Sequence, residues 1–228
     1  MLNAFLFAAF AQSPLILGGL IVFWFLVPTR VIGWLGGYGS GALFSAIAFQ
    51  LLATAQSLAP LDKVLWILFG AAIFVALDAV VEKRFGEAAG ALGIVLGSII
   101  DGVPESVIFG IQIATGTGIS TAFLTAVMVS NIPQSIAPSA DLKKQGQKWW
   151  RVALMWTAVV LICAVSGAVA WIIGTLVPSD TGAKISAVAS GGLLAMLTNS
   201  LIPFSYERGG LLTGLWAAAG FAVSLLQQ

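Results

Sequence analysis

The stretch ALGIVLGSIIDGVPESVIFGIQIA, residues 91–114, decides how this chain folds. It is long and apolar enough to cross a bilayer as a helix, for which about 20 apolar residues suffice. Two carboxylates, Asp101 and Glu105, nevertheless stand near its middle. A charge at that depth is costly unless it is paired, hydrated or protonated, so both residues mark a candidate functional site.

The composition of the whole chain is that of a membrane protein. Of its 228 residues, 59% are hydrophobic and only 8% are charged, whereas an average soluble domain carries about 25% charged residues. The sequence therefore predicts an all-α, polytopic protein with residues 1–228 in a single transmembrane domain surrounded by the lipid bilayer. Since the first basic residue is Arg30, residues 1–27 are predicted to be a spanning helix and not a cleaved signal peptide.

The residue inventory excludes several classes of function. A net charge of +1 leaves no basic field for nucleic acid. The absence of histidine excludes serine–histidine and cysteine–histidine catalysis. Intramembrane aspartyl proteases usually carry a catalytic aspartate in the pattern Gly-x-Gly-Asp. Neither Asp78 nor Asp101 is part of such a pattern. We therefore expect no enzymatic activity and no bound cofactor.

Seven breaks in hydropathy predict eight transmembrane helices. The breaks lie at 28–30, 60–63, 82–87, 115–118, 141–148, 178–184 and 206–210. The helices are expected at 3–27, 31–57, 64–81, 88–114, 118–138, 149–175, 184–204 and 209–227.

The basic residues alternate between the loops of this topology. Lys63 and Lys184 lie in even-numbered loops, and the other eight of the ten lie in odd-numbered loops: Arg30, Lys83, Arg84, Lys143, Lys144, Lys148, Arg151 and Arg208. Because cytoplasmic loops carry an excess of lysine and arginine, both termini are predicted to be extracytoplasmic. The cell or inner membrane is the expected location.

Two pairs of segments echo each other within the chain. SGALFSAIAFQLLA (40–53) and SGGLLAMLTNSLIP (190–203) both begin with Ser-Gly and place a polar residue before a Leu-Leu or Leu-Ile pair. GVPES (102–106) and NIPQS (131–135) form the second pair. In the predicted topology the members of each pair run in opposite directions, which is typical of transporters built from inverted halves.

The fourth predicted helix presents two carboxyl groups on one face. Asp101 and Glu105 are four residues apart, which brings their Cβ atoms to roughly 6 Å from each other on a helix. Pro104 lies between them and cannot donate to the carbonyl of Ile100, which therefore stays free.

The fifth predicted helix repeats the arrangement without charge. Ser130 and Gln134 are four residues apart, Asn131 is adjacent, and Pro133 frees the carbonyl of Val129. Together the two helices offer carboxylate, amide, hydroxyl and carbonyl oxygens, which suit a divalent cation. A protonated carboxyl bonded to a neighbouring carbonyl, with the prolines as packing kinks, is the structural alternative.

Three further polar residues are candidates for an ion pathway. Asp78 lies near the inner end of the third helix, where it could bind an ion or pair with Lys83 or Arg84. Gln50 and Ser200 occupy matching positions in the echoing segments. Hydrogen bonding between helices is the alternative role for such residues.

These motifs resemble those of the Zrt/Irt-like protein (ZIP) family of metal transporters. The fourth helix of that family typically carries His-Asn-x-Pro-Glu-Gly, where this chain has DGVPES (101–106). The fifth typically carries His-Glu-x-Pro-His/Glu-Glu or a variant, where this chain has SNIPQS (130–135). The resemblance implies a 3+2+3 bundle of inverted halves that carries zinc, manganese, iron or a similar cation toward the cytoplasm.

The resemblance also assigns metal ligands. Glu105 stands where the family has its bridging glutamate, and Asp101 stands in place of a histidine. Gln134 replaces an acidic ligand, Asn131 stands for an Asn, Asp or Glu ligand, and Ser130 replaces a histidine or an amide.

Two other positions depart from the family. Gly102 stands where the family has asparagine, and Ser200 replaces an acid of the seventh helix. The resemblance implies that the cation is the transported substrate and not a cofactor. The chain is compatible with a monomer or a homodimer. The alternatives are a ZIP-fold scaffold that does not transport, and a transporter of protons or another solute through the same carboxylate pair.

The predicted orientation can be tested by labelling single introduced cysteines. Gln145→Cys should react only with a reagent that reaches the cytoplasm, and Thr181→Cys should react with an impermeant reagent added outside, because the basic loops face inward. The measurement is maleimide labelling of intact cells. The reverse pattern would invert the proposed direction of transport.

Overall fold

The computed structural model describes residues 1–85, 91–177 and 179–227, which form eight helical segments and no strand. We number these segments α1 to α8 and count the pieces of an interrupted helix together. They are α1 (Leu2–Gln12 and Pro14–Ile21), α2 (Thr29–Ala46, Ile47–Leu51 and Leu52–Thr54), α3 (Pro60–Phe85), α4 (Ala91–Thr115), α5 (Thr121–Lys144), α6 (Trp149–Leu176), α7 (Ser179–Met196, Leu197–Leu201 and Ile202–Gly209) and α8 (Leu212–Leu225).

The helices indicate a membrane protein. Six apolar stretches in the described residues have the length to cross a bilayer: Leu2–Ile21, Thr29–Leu51, Pro60–Arg84, Gly93–Thr115, Trp149–Leu176 and Thr181–Gly209. Large apolar side chains, including Leu68, Phe69 and Leu161, are exposed on the outside of the bundle. An apolar exterior of this extent suits lipid and not water. The expected all-α class is confirmed.

The other two helices differ from these six in composition or length. α5 has 24 residues, and many of its polar side chains, such as Ser130, Asn131 and Ser135, are buried inside the bundle. α8 has 14 residues, which span about 21 Å at 1.5 Å per residue. A bilayer core is about 30 Å thick.

The first helix is shorter than the predicted range of 3–27 and is interrupted. It ends at Ile21, and residues 25–28 before the next helix have no regular structure. It breaks at Ser13, since Pro14 has no N–H to donate. The carbonyl of Phe10 instead accepts from the Ser13 hydroxyl at 2.7 Å.

The third helix is longer than the predicted range of 64–81. It begins at Pro60, which suits a first helical position, with Asp62 in the first turn. It continues to Phe85. Residues 82–85 of the predicted break 82–87 are therefore helical. Residues 86–90 lie outside the described residues, and with them the end of that break and the predicted start of the fourth helix at 88.

The fifth helix is shifted from the predicted 118–138 to Thr121–Lys144. The Ser120 hydroxyl caps its start by accepting from the Phe123 N–H at 2.9 Å. Basic residues favour the C-terminal turn, and Lys143 Nζ donates to the carbonyl of Val22 at 2.7 Å. The first half of the predicted loop 141–148, residues 141–144, is therefore helical.

The last two helices also differ from prediction at their ends. α7 was predicted at 184–204 but runs from Ser179 to Gly209. It stops where Gly210 takes a φ of 63°, which glycine adopts without steric cost. α8, predicted at 209–227, is confined to Leu212–Leu225.

The echoing segments in α2 and α7 share an unusual local structure. Each helix contains one π-helical turn, Ile47–Leu51 in α2 and Leu197–Leu201 in α7. The two turns occupy the same position of the aligned segments, 150 residues apart. The order of buried, partly buried and exposed residues is also identical along 31–53 and 181–203. The repetition predicted from sequence thus extends to backbone and burial.

The same spacing relates close contacts between helices. A Cβ atom on Gly41 of α2 would lie closer than 3.0 Å to the carbonyl oxygen of Ala217 in α8. A Cβ atom on Gly191 of α7 would lie equally close to the carbonyl oxygen of Ile67 in α3. Only glycine allows backbones to approach so closely.

A second pair of contacts runs in the reverse direction. A Cβ atom on Gly220 of α8 would clash with the carbonyl of Tyr38 in α2, and one on Gly70 of α3 would clash with that of Val188 in α7. Residues 70 and 220, like 38 and 188, are 150 positions apart. α2 therefore packs on α8 in the way that α7 packs on α3, with α4 and α5 between the two pairs.

Alanine at these glycines should destabilise the fold. Gly41→Ala and Gly191→Ala should each lower the free energy of unfolding by about 1–3 kcal/mol, because the added methyl group pushes two helices apart. The measurement is the melting temperature of the purified protein in detergent. Gly97→Ala in α4 and Gly214→Ala in α8 are matched controls, since a Cβ there meets nothing within 4 Å. Equal melting of variants and controls would contradict the described packing.

Candidate ion site between α1, α4 and α5

The two carboxylates of α4 lie inside the bundle as the sequence predicts. Glu105 is 1% exposed, and Asp101 is partly buried. They lie on one face of the helix, close enough for their charges to interact. Packing of α4 against α1, α3, α6 and α7 shields this face from the outside.

A residue that the sequence analysis missed connects the two predicted motifs. Gln12 of α1 is fully buried, and its Nε2 donates to Glu105 Oε2 at 2.8 Å. Its Oε1 accepts from Asn131 Nδ2 of α5 at 3.0 Å. Asn131 Nδ2 also lies 3.3 Å from the carbonyl oxygen of Ala11. One glutamine thus brings three helices to a single point.

Each of these three helices has a proline beside its polar residue. Pro14, Pro104 and Pro133 lie within two positions of the glutamine, the glutamate and the asparagine, respectively. A proline inside a helix removes one backbone hydrogen bond and leaves a carbonyl oxygen unpaired. Gln12 carries the same signal, a polar residue next to a proline in an apolar stretch, and could have been found by it.

Several buried polar atoms near the two motifs have no hydrogen-bond partner. Among the described residues these include Glu105 Oε1, Ser106 Oγ and Gln134 Nε2. Buried polar atoms are nearly always paired, and a carboxylate oxygen can only accept. Glu105 Oε1 therefore requires a cation or a proton, which no neighbouring side chain supplies.

Gly102 makes room for the amide of Gln12. A Cβ atom at position 102 would lie 3.3 Å from Gln12 Oε1, 3.4 Å from Gln12 Nε2 and 2.7 Å from Cys163 Sγ. A larger side chain would displace the glutamine. The amide that α4 lacks at this position is supplied from α1.

Ser130 and Gln134 are placed differently from the other predicted ligands. The Ser130 hydroxyl donates to the carbonyl of Val127 in its own helix at 2.9 Å, and its backbone packs against Gly39. Gln134 is partly buried, and within the described part of the chain it has no hydrogen bond to Glu105 or Asn131. The structure thus joins Glu105 and Asn131 through Gln12, with Asp101 one turn from Glu105 on α4 and Ser130 serving the packing of α5.

Among the hydrogen bonds and ion pairs of the described residues, none joins a pathway candidate to this cluster. Asp78 of α3 is partly buried, and its charge interacts with that of Asp101. In the part of the chain that the structure describes, it has no ion pair with Lys83 or Arg84. Gln50 and Ser200 are partly buried at matching positions of the two π-helical turns.

The side chains of the site can offer a cation only oxygen atoms, and only Asp101 and Glu105 among them can carry a negative charge. Within residues 1–85, 91–177 and 179–227, no group of three or more cysteine, aspartate or glutamate side chains is arranged to hold a metal ion. The two carboxylates of α4 would balance one divalent cation, with amide and freed carbonyl oxygens as further ligands.

No family model matches this sequence, and no curated protein sequence matches it closely. The chemistry of the site therefore carries the functional conclusion.

Proposed function

We propose that this protein transports divalent metal cations through an eight-span bundle similar to that of the ZIP family. The repetition at a spacing of 150 residues supports two related halves, α1–α3 and α6–α8, on either side of α4 and α5. Transporters with inverted halves place their substrate site where the halves meet. The cluster around Glu105 occupies such a position.

α5 is less apolar than the six stretches long enough to cross a bilayer, but its composition is compatible with a membrane-spanning helix. Its Asn131, Ser135 and Ser139 are buried in the bundle and so are kept away from lipid. Polar residues in membrane helices usually face the interior of a bundle or a water-filled cavity. α8 is short, but its close packing on α2 would hold it in the bilayer.

The observation that carries the proposal is the unsatisfied carboxylate of Glu105. One oxygen accepts from Gln12 and the other has no partner, although the side chain is 1% exposed. An ionised group in this state is costly, and a bound cation would remove the cost. Asp101 provides a second charge one helical turn away, toward Asp78.

The cation would move toward the cytoplasm. The alternation of basic residues puts the end of α3 near Lys83 and Arg84 on that side. Asp78 lies in the same part of α3 and would be the last carboxylate on the path. An oxygen-only shell fits Mn²⁺, Fe²⁺, Mg²⁺ and loosely held Zn²⁺ about equally.

Loss of the central carboxylates should stop transport. Glu105→Ala should reduce Mn²⁺ uptake into proteoliposomes below about a tenth of the wild-type rate, and Asp101→Ala nearly as far, because each removes a charged ligand. Ser130→Ala is the matched control and should transport normally, since its hydroxyl bonds within its own helix. Normal uptake by Glu105→Ala would show that the proposed site is wrong.

The same assay separates the other candidate functions. A correctly inserted protein that moves none of Zn²⁺, Mn²⁺, Fe²⁺ and Mg²⁺ would favour a scaffold role. Proton movement without any metal would favour a proton transporter that uses the same carboxylate pair.

Selectivity among cations should be weak and should respond to position 101. Oxygen ligands do not favour zinc over harder ions, whereas an imidazole does. Asp101→His should therefore raise the ratio of zinc to manganese affinity, measured by competition with the purified protein. An unchanged ratio would mean that residue 101 is not a ligand. Asp62→His, in the first turn of α3, is a control for the added imidazole.

A further inference from the structure

The orientation of the Gln12 amide is fixed by its two neighbours. A carboxylate can only accept hydrogen bonds, so the amide atom 2.8 Å from Glu105 Oε2 must be the nitrogen. Oε1 then faces Asn131, whose Nδ2 donates to it at 3.0 Å. Reversal of either amide alone would set two donors or two acceptors against each other. The two amides therefore form one directional chain that ends on Glu105.

The direction of these hydrogen bonds is unsuited to a site that holds a cation. The N–H group of Gln12 directs a positive dipole end at Glu105, in the place where a cation would approach Oε2. A cation bound to this oxygen would repel the N–H group. An ion held by Oε2, or by both oxygens of the Glu105 carboxylate, therefore requires that Gln12 withdraw or turn its oxygen toward the ion.

Rotation of the two amides keeps the hydrogen bond between them in the loaded state. It gives up the contacts of Gln12 Nε2 with the Gly102 carbonyl, at 3.5 Å, and of Asn131 Nδ2 with the Ala11 carbonyl, at 3.3 Å. A half-turn of the Gln12 amide about its last side-chain bond places Oε1 where Nε2 was. A matching half-turn of Asn131 presents its oxygen to the relocated Nε2. The bond between the two amides is then re-formed with reversed direction, and Gln12 becomes an oxygen ligand of the type that hard cations prefer.

The surroundings of Gln12 permit such a movement. Gly102 leaves the amide free of a side chain on the side of α4. Just after Gln12, Pro14 removes one backbone hydrogen bond of α1, although Ser13 keeps helical angles (φ −57°, ψ −28°).

We propose that Gln12 is a ligand-exchanging residue: its amide N–H holds Glu105 in the ion-free protein, and its amide oxygen binds the cation in the loaded one. This inference rests on the proposed function, because it needs a cation at Glu105. It adds to the site a third helix, α1, and a ligand that no motif of α4 or α5 contains.

The first experiment measures Mn²⁺ binding to the full-length protein in detergent by electron paramagnetic resonance of the free ion. Gln12→Leu keeps the approximate volume and removes the ligand, so its Kd should rise about tenfold. Gln12→Glu should bind at least as tightly as wild type, because it adds an anionic oxygen. Gln112→Leu is the control, since Gln112 is also a buried glutamine but accepts from the Ser120 N–H at the other end of α4.

The outcomes separate this inference from the proposed function. Wild-type protein that binds no divalent cation would overturn both. Wild-type protein that binds Mn²⁺, with Gln12→Leu binding equally well or more tightly, would overturn only the role of Gln12 as a ligand. A weaker Gln12→Leu with an unchanged Gln112→Leu would support it.

A second measurement does not depend on a folded Gln12→Leu variant. Infrared difference spectra of wild-type protein labelled with ¹³C at glutamine side-chain carbonyls should show a shifted band when Mn²⁺ is added, because a carbonyl that binds a cation is polarised. Gly102→Ala, whose methyl group would press on the Gln12 amide, should lose that band. Spectra without any shifted glutamine band would overturn the proposal even if Mn²⁺ binds.

Discussion

The buried carboxylate of Glu105 is the constraint on which the rest of the site depends. A charge inside an apolar bundle must be matched by donors, protons or ions. Among the described residues Gln12 donates to one of the two carboxylate oxygens, and the other has no partner. The positions of Gln12, Asn131 and Gly102 all follow from this requirement. Gly102 opens the space, Gln12 fills it with an amide, and Asn131 fixes the direction of that amide. A site that remains half satisfied is suited to a ligand that comes and goes.

The scaffold around the site is built for close approach of backbones. At Gly41 and Gly191 one helix lies against the carbonyl groups of another, so there is no layer of large side chains between them. In lipid such contacts hold helices together without help from the hydrophobic effect, because dispersion contacts and shape take its place. The matching contacts at Gly70 and Gly220 leave α4 and α5 enclosed by two similarly built pairs of helices. Enclosure on both sides keeps the polar groups of these central helices away from lipid.

Sequence reasoning predicted an all-helical chain and two carboxylates inside it, because both leave strong local signals. A charge such as Asp101 or Glu105 is conspicuous in an apolar stretch. The ends of helices were predicted less well, because they depend on contacts between residues that are distant in sequence. One example is the hydrogen bond from Lys143 to the carbonyl of Val22. Gln12 beside Pro14 carries the same local signal as Asn131 near Pro133, but its partners on α4 and α5 are visible only in the folded chain.

The π-helical turns at Ile47–Leu51 and Leu197–Leu201 have a consequence for the register of their helices. Such a turn holds one residue more than an α-helical turn, so it acts as a one-residue insertion. In an α-helix one residue corresponds to a rotation of about 100°. The wide turn absorbs this extra residue, so the residues beyond it keep the faces that they would have in a regular helix one residue shorter. Straightening either turn without removing a residue would rotate everything beyond it onto another face. The backbone path, and not only residue identity, thus decides which side chains of α2 and α7 face the bundle.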